Sequence, residues 1–298
     1  MFDRILIPVD GSEGARRAAK YGLELAESYD AAADVLHVID HGRFRSLESQ
    51  EERASRRERA TEFLEDAEAT AAAVGVPVDT HLREGRTHEV IAAFAAEIGA
   101  NLLVMGRQGR RGLGDHLLGS IADRVLRTTD VPVLTVPSGD VADDTGTTYE
   151  GVLVPTDGSS NAERATPYGA DVAGRYDATL HVLNVVDVRT EGGLFSAGGV
   201  SEGFIERLES EGAEAVERIA DDVRDADASV DVRTAVVRDT PYAGIREYVA
   251  DNDVDLVVMA SRGEANLGGQ LLGSVTNHVI HSVDVPVLVV TATGEAET

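Results

Sequence analysis

The chain has 298 residues, enough for two domains of ordinary size, and its 43% hydrophobic content excludes wholesale disorder. With 53 acidic residues against 27 basic ones, the formal net charge is −26. A field of this sign repels phosphates, so we expect neither nucleic acid nor membrane lipid as a partner. The absence of cysteine excludes disulfides, thiolate metal sites and cysteine nucleophiles.

We expect neither a targeting signal nor a membrane span in this chain. It starts with MFDRILIPVDGS, without a basic or a long apolar segment, and no stretch approaches the roughly 20 apolar residues of a membrane span. We therefore expect a cytoplasmic protein. Lys20 is the only lysine. An acidic, arginine-based chain is expected of a halophile, whose salt-rich cytoplasm screens self-repulsion; a merely acidic protein is the alternative.

Short apolar runs alternate with helical patterns along the first half of the chain. Because the runs are apolar on both faces, they predict the strands of a parallel sheet covered by helices. Ser12 and Thr87 are the predicted N-cap residues of two of the helices. The alternation predicts a doubly wound α/β domain. The predicted strands are 4–9, 34–39, 77–83, 101–105 and 131–136, and the predicted helices are 12–28, 46–74, 87–99 and 120–128.

The same four landmarks then occur a second time in the same order. ILIPVDGS (5–12) returns as VLVPTDGS (152–159), HVID (37–40) as NVVD (184–187), MGRQGRRGLGDHLLGS (105–120) as MASRGEANLGGQLLGS (259–274), and DVPVLTV (130–136) as DVPVLVV (284–290). This duplication predicts two tandem doubly wound, five-stranded parallel-sheet (Rossmann-like) domains. We expect the domains at residues 1–138 and 151–298, with a polar linker at 139–150.

The glycine-rich segment after the fourth strand has the chemistry of a phosphate site. In open parallel sheets, ligands bind beyond the carboxyl ends of the strands, where the strand order reverses. Glycine lets the backbone approach a ligand, and the helix that opens at Gly119-Ser120 offers free N–H groups to an anion. The alternative is that the glycines only turn the chain and Ser120 only caps its helix. Duplication of the segment does not decide between them.

Two familiar phosphate loops are excluded. The Walker loop needs a Gly-Lys pair, which the sequence lacks, and the dinucleotide fingerprint fails because Leu117 stands where its third glycine belongs.

Over essentially the whole chain, these motifs resemble those of the universal stress proteins in their tandem-domain, ATP-binding form. The family signature is Gly, two residues, Gly, nine residues, Gly, then Ser or Thr, and Gly106, Gly109, Gly119 and Ser120 match it. The resemblance implies a stress-response regulatory protein that binds ATP between the first and fourth strands, with the presence of Mg²⁺ left open. It implies neither a catalytic residue nor a dedicated metal site.

The resemblance also implies which residues bind the nucleotide. The adenine–ribose end would lie against the first two strands, and the phosphates would follow the glycine segment to the helix start. In the first copy these residues are Pro8, Val9, Asp10, Val38, Met105, Gly106, Arg107, Gly109, Gly119, Ser120 and Ile121. In the second copy they are Asp157, Val185, Met259, Ala260, Ser261, Gly263, Gly273, Ser274 and Val275. Ala260 replaces the first signature glycine, so its methyl group is either tolerated or crowds the nucleotide.

Charge separates the two glycine segments. The first carries Arg107, Arg110 and Arg111 against Asp115, whereas residues 261–270 carry one arginine and one glutamate. Guanidinium groups suit phosphate oxygens, so this difference predicts tighter ATP binding in the first copy, unless the arginines are ordinary solvated surface.

Other roles are left as alternatives. His37 and His41 flank a strand end, but Asn184 replaces His37 in the second copy, so we expect no metal site there. Asp10 and Asp157 lack a partner acid or nucleophile, which favours binding over general-base catalysis. A slow ATPase or phosphoryl transferase and a ligand-free interaction scaffold are the competing functions. By analogy with family dimers, the last strands of the two copies would pair as an intrachain pseudo-dimer, and a homodimer is left open.

Overall fold

The computed structural model describes residues 1–40, 49–108, 118–137, 147–187, 202–263 and 272–291. The chain separates into two compact units, residues 1–147 and 148–298. Among the described residues, the helices are too short or too polar for any of them to cross a membrane.

The first unit alternates strands and helices from end to end. Its strands are all parallel, in the order β3-β2-β1-β4-β5. The strand order therefore reverses between β1 and β4. The elements are β1 (Arg4–Pro8), α1 (Glu13–Tyr29), β2 (Ala32–Ile39), α2 (Gln50–Val74), β3 (Val78–Glu84), α3 (Thr87–Ile98), β4 (Leu102–Gly106), α4 (Ser120–Thr128) and β5 (Val133–Val136).

The second unit repeats this plan. Its parallel strands follow the order β10-β9-β6-β7-β8, with the reversal between β6 and β9. The predicted fold class, two tandem doubly wound five-stranded domains, is confirmed. The elements are β6 (Gly151–Thr156), α5 (Ser160–Glu163), α6 (Thr166–Tyr176), β7 (Thr179–Val186), α7 (Glu202–Ala226), β8 (Val232–Arg238), α8 (Pro241–Asp251), β9 (Leu256–Ala260), α9 (Ser274–Ser282) and β10 (Val287–Val290).

Helices cover both faces of each sheet, and this explains the apolar strands. In the first unit α1 packs against α2 and α3 packs against α4. Because crossovers between parallel strands are right-handed, the change of direction after β3 places the two pairs on opposite faces. Ile5, Leu6 and Ile7 of β1 are consequently all fully buried.

Local signals set most helix boundaries. The Ser12 hydroxyl accepts the Ala15 N–H at 3.1 Å, so the predicted N-cap of α1 is confirmed. The predicted N-cap at Thr87 is wrong: Arg86 is the extended N-cap residue, and Thr87 already belongs to the helix. The first residues predicted for α2, 46–48, lie outside the described part of the chain, and α2 begins after a capping box between Ser49 and Glu52.

One helix differs between the two copies. Where the first unit has the continuous α1, the second has the short α5 followed by α6, with Pro167 in the first turn of α6. Proline has no N–H to donate to the carbonyl one turn earlier, so the hydrogen-bond ladder of a continuous helix is interrupted there. The corresponding residue of α1 is Lys20, which permits an unbroken helix.

Candidate functional site

Each unit ends its first strand in the same tight turn, residues 10–12 in the first and 157–159 in the second. The serine N–H donates to the aspartate Oδ1 at 3.0 Å in both turns. The middle glycine has a φ of 75° in the first turn and 79° in the second, a left-handed conformation that disfavours other residues. The sequence Asp-Gly-Ser therefore holds a carboxylate at the carboxyl end of the strand.

An open cleft of about 940 Å³ lies at this edge of the second sheet. The ends of β6, β7 and β9 form its floor, and residues of α7, α8 and α9 form its walls. The cleft is therefore located where the strand order reverses, as expected for a ligand site in this fold. Of the residues predicted from the sequence, it is lined by Asp157, Val185, Met259, Ala260, Gly263, Gly273, Ser274 and Val275.

The backbone beside Ser261 connects β9 to the start of α9. Ser261 donates its N–H to the carbonyl of Val290 at 2.8 Å and accepts the N–H of Gly273 at 2.7 Å. The Thr276 hydroxyl donates to the carbonyl of Ala260 at 2.9 Å. Ser261 is 2% exposed and does not line the cleft. It therefore orders the segment around the cleft rather than contacting its contents.

Gly263 approaches the turn residue Asp157 closely. A Cβ built on Gly263 would overlap Oδ2 of Asp157. The absence of a side chain at residue 263 therefore brings the glycine segment against the carboxylate at the end of β6.

Several cleft residues were not predicted from the sequence. The Asn184 amide donates to the carbonyl of Thr156 at 2.9 Å, which fixes its side chain at the end of β7. Arg218 of α7 lines the cleft and forms an ion pair with Glu163 of α5. Asn184 belongs to the repeated NVVD landmark, so its position was visible in the sequence. Six further lining residues, from α7 and α8, carry no local signal: Leu208, Glu211, Gly212, Ala215, Arg218 and Ile245.

Arg262 is a further cationic residue of the cleft. Its Nε is buried, and no hydrogen-bond acceptor for it is found among the residues that the structure describes. A buried donor of this kind favours an anionic occupant, because an unsatisfied N–H is costly.

The first unit places its predicted residues at equivalent strand and helix ends. Arg107 is buried, donates its N–H to the carbonyl of Val136 at 2.9 Å and accepts the N–H of Gly119 at 2.5 Å. Gly119 is the extended N-cap of α4, and Ser120 is its first residue. The residues at strand ends are Pro8, Val9, Asp10, Val38, Met105 and Gly106, and Ile121 lies in the first turn of α4. Gly109, Arg110, Arg111 and Asp115 lie outside the described residues.

The histidine considered for metal binding is engaged with the backbone. His37 Nδ1 lies 2.7 Å from the carbonyl oxygen of Val9, and His41 lies outside the described residues. Within the described ranges, no three His, Cys, Asp or Glu side chains are grouped to hold a metal ion.

Comparisons with known proteins agree with this architecture. A universal stress protein of Mycolicibacterium smegmatis is 31% identical over 96% of this chain and 96% of its own length. The universal stress protein MJ0531 of Methanocaldococcus jannaschii is 36% identical over 46% of this chain and 82% of its own. The crystal structure of a universal stress protein from Archaeoglobus fulgidus superposes with a TM-score of 0.73 and 23% identity, covering 99% of this chain and 98% of that one. The profile described as the universal stress protein family matches residues 1–137 and again 148–291. Because that profile covers both units, the chain belongs to the universal stress protein family and carries two of its domains in tandem.

Proposed function

We propose that this protein is a cytoplasmic regulator of the stress response that binds ATP without efficient turnover. The observation that carries the proposal is the cleft of about 940 Å³ at the carboxyl edge of the second sheet. Its volume lies within the roughly 300–1,000 Å³ typical of small-molecule sites.

The two ends of the cleft differ in chemistry. Val185, Leu208 and Ile245 supply apolar surface from both faces of the sheet, which suits a purine base. The first turn of α9, with Ser274, and the guanidinium of Arg262 supply N–H donors at the other end, which suits phosphates. A ligand with an aromatic base and a polyanionic tail matches both ends. Mg²⁺ is proposed only as a companion of the phosphates.

The test combines co-purification with titration. We expect mass spectrometry of gently purified protein to detect an adenine nucleotide, and calorimetry to show ATP binding that Gly273→Val weakens at least about tenfold. Gly203→Val is the matched control, because no atom of the residues that the structure describes lies within 4 Å of a Cβ built on this glycine. Absence of heat with ATP, ADP and AMP would refute the proposal and favour the ligand-free scaffold.

An ATPase is the second candidate function, since the carboxylate of Asp157 is exposed at the mouth of the cleft. Timed conversion of ATP to ADP by the pure protein separates the two functions. Turnover well below about one per minute fits a binding protein, since enzymes commonly reach roughly 1–10³ s⁻¹. Faster turnover that is lost in Asp157→Asn would establish the enzyme instead.

We further propose that the protein works in a salt-rich cytoplasm. The support is its net charge of −26 together with its single lysine. At high salt, screening confines repulsion between these charges to a few ångströms.

A further inference from the structure

The two copies differ at the helix residue that faces the Asp-Gly-Ser turn. A Cβ built on Gly11 would lie 2.5 Å from Cδ1 and Cζ of Phe63, whereas one built on Gly158 would lie 3.6 Å from the Cβ of Ala215. Phe63 of α2 and Ala215 of α7 are therefore equivalent. The first copy covers its turn with an aromatic ring, and the second covers it with a methyl group.

A neighbouring side chain supports the ring in the first copy. His37 and Asn184 occupy equivalent positions, and each bonds the carbonyl of the residue before the turn aspartate, at 2.7 and 2.9 Å respectively. The His37 ring packs edge to face on Phe63, with centroids 5.3 Å apart and planes at 62°. Phe63 is thus held between an aromatic ring and the turn, whereas Asn184 offers no such surface.

The space beside the turn changes accordingly. In the second copy the cleft extends without interruption from Ser274 at the start of α9 to Ala215 and Arg218 of α7. In the first copy, Val9, Gly11, Phe63 and Asp66 line a cavity of about 270 Å³ beside the turn, with the Phe63 ring as part of its wall.

The wall charge is also reversed between the copies. Arg16 of α1 pairs with Asp66 of α2 at 3.1 Å, whereas Glu163 of α5 pairs with Arg218 of α7. The α2 wall of the first copy therefore presents a carboxylate where the α7 wall of the second presents a guanidinium. The second copy thus has more open space beside its turn and lacks the α2-type carboxylate that would repel a polyanionic ligand.

We propose that Phe63 fills, in the first copy, the space that the second copy leaves open for the nucleoside part of the ligand. The second copy is then the principal nucleotide site, and Phe63 is the residue that makes the copies unequal. This inference rests on the proposed function. The arginines of the first glycine segment predicted tighter ATP binding in the first copy, and this inference predicts the opposite. The reason is that a filled space excludes a ligand whatever the charge at its rim.

Reciprocal substitutions in the full chain test the assignment by calorimetry with ATP. We expect one tight site in the unchanged protein, a second site of affinity within about tenfold in Phe63→Ala, and a loss of at least about tenfold in Ala215→Phe. Adding Gly119→Val should remove the site gained in Phe63→Ala, which locates that site in the first copy. The double variant Phe63→Ala/Ala215→Phe should bind one equivalent through the first copy.

Matched controls separate the filled space from general destabilisation. Leu64→Ala removes a neighbouring side chain of α2, and Ala213→Phe makes the same change on the exposed face of α7; neither should change the stoichiometry. Unchanged stoichiometry in a folded Phe63→Ala, or full affinity in Ala215→Phe, overturns the role of Phe63. Equal binding by both copies of the unchanged protein does so too. If the unchanged protein binds no ATP, the proposed function itself fails.

Discussion

Replacing Gly212 by alanine should destabilise the protein when residue 184 is asparagine and stabilise it when residue 184 is alanine. Gly212 is a buried glycine within α7, and alanine there gains about 0.8–1 kcal/mol of helix propensity. A Cβ built on it would overlap Oδ1 of Asn184 and lie 3.0 Å from its Cγ. The Asn184 amide must then rotate and release the carbonyl of Thr156, which it bonds at 2.9 Å.

Loss of that bond leaves buried polar groups unsatisfied, at a cost of about 1–3 kcal/mol. Subtracting the gain in helix propensity, we expect Gly212→Ala alone to destabilise the protein by roughly 0–2 kcal/mol. In an Asn184→Ala background the overlap is absent, so the same change should stabilise by up to about 1 kcal/mol. The coupling between the two positions is therefore about 1–3 kcal/mol, within the usual range for residues in contact.

The assay is a double-mutant cycle by urea unfolding, with hydrogen exchange of peptides from β7 and α7 to assign the change to the second unit. Ala213→Gly, at an exposed position of the same helix, measures the propensity term without the contact. An equal effect of Gly212→Ala in both backgrounds would refute the reasoning, as would stabilisation in the presence of Asn184.

Three further predictions concern stability. Gly106→Ala should lower the free energy of unfolding in urea by about 1–3 kcal/mol, because its Cβ would lie 2.6 Å from the carbonyl oxygen of Gly14. The reverse change in the second copy, Ala260→Gly, should lower it by only about 0.5–1 kcal/mol. Equal losses in the two variants would contradict this prediction. Burial, reinforced by Arg233, lowers the pKa of His181, so the unfolded chain takes up the proton first and stability falls as pH drops below about 6.5. His181→Asn should flatten that fall in the urea midpoint between pH 7.5 and 5.5, and an unchanged slope would exclude His181 as its origin. The thermal midpoint should rise from about 0.1 M to about 2 M KCl, because salt screens the net charge of −26, and a falling midpoint would count against a salt-rich habitat.

The repeated α/β architecture and the bounds of its main elements could be predicted from local patterns in the amino-acid sequence. Hydrophobic period, capping residues and proline are local properties, so they place β1, α1 and α4 within one or two residues. The error at Thr87 arose because α3 begins without a side-chain cap bond: Arg86 is its extended N-cap residue, so no capping side chain marks the start in the sequence. The repeated motifs likewise located the strand ends at which the cleft of the second unit opens.

Which side chains surround those strand ends could not be predicted from the sequence and follows from the packing of the folded chain. Phe63 and Ala215 lie about fifty residues along the chain from the turns that they face, and nothing in their neighbourhood in sequence marks them. Nothing in the neighbouring sequence marks Gly212 either, although the absence of a side chain there leaves room for Asn184. Hydrophobic periodicity shows that a helix has a buried face. It does not show which residues of the sheet that face contacts, because these contacts depend on the packing of elements that are distant in sequence.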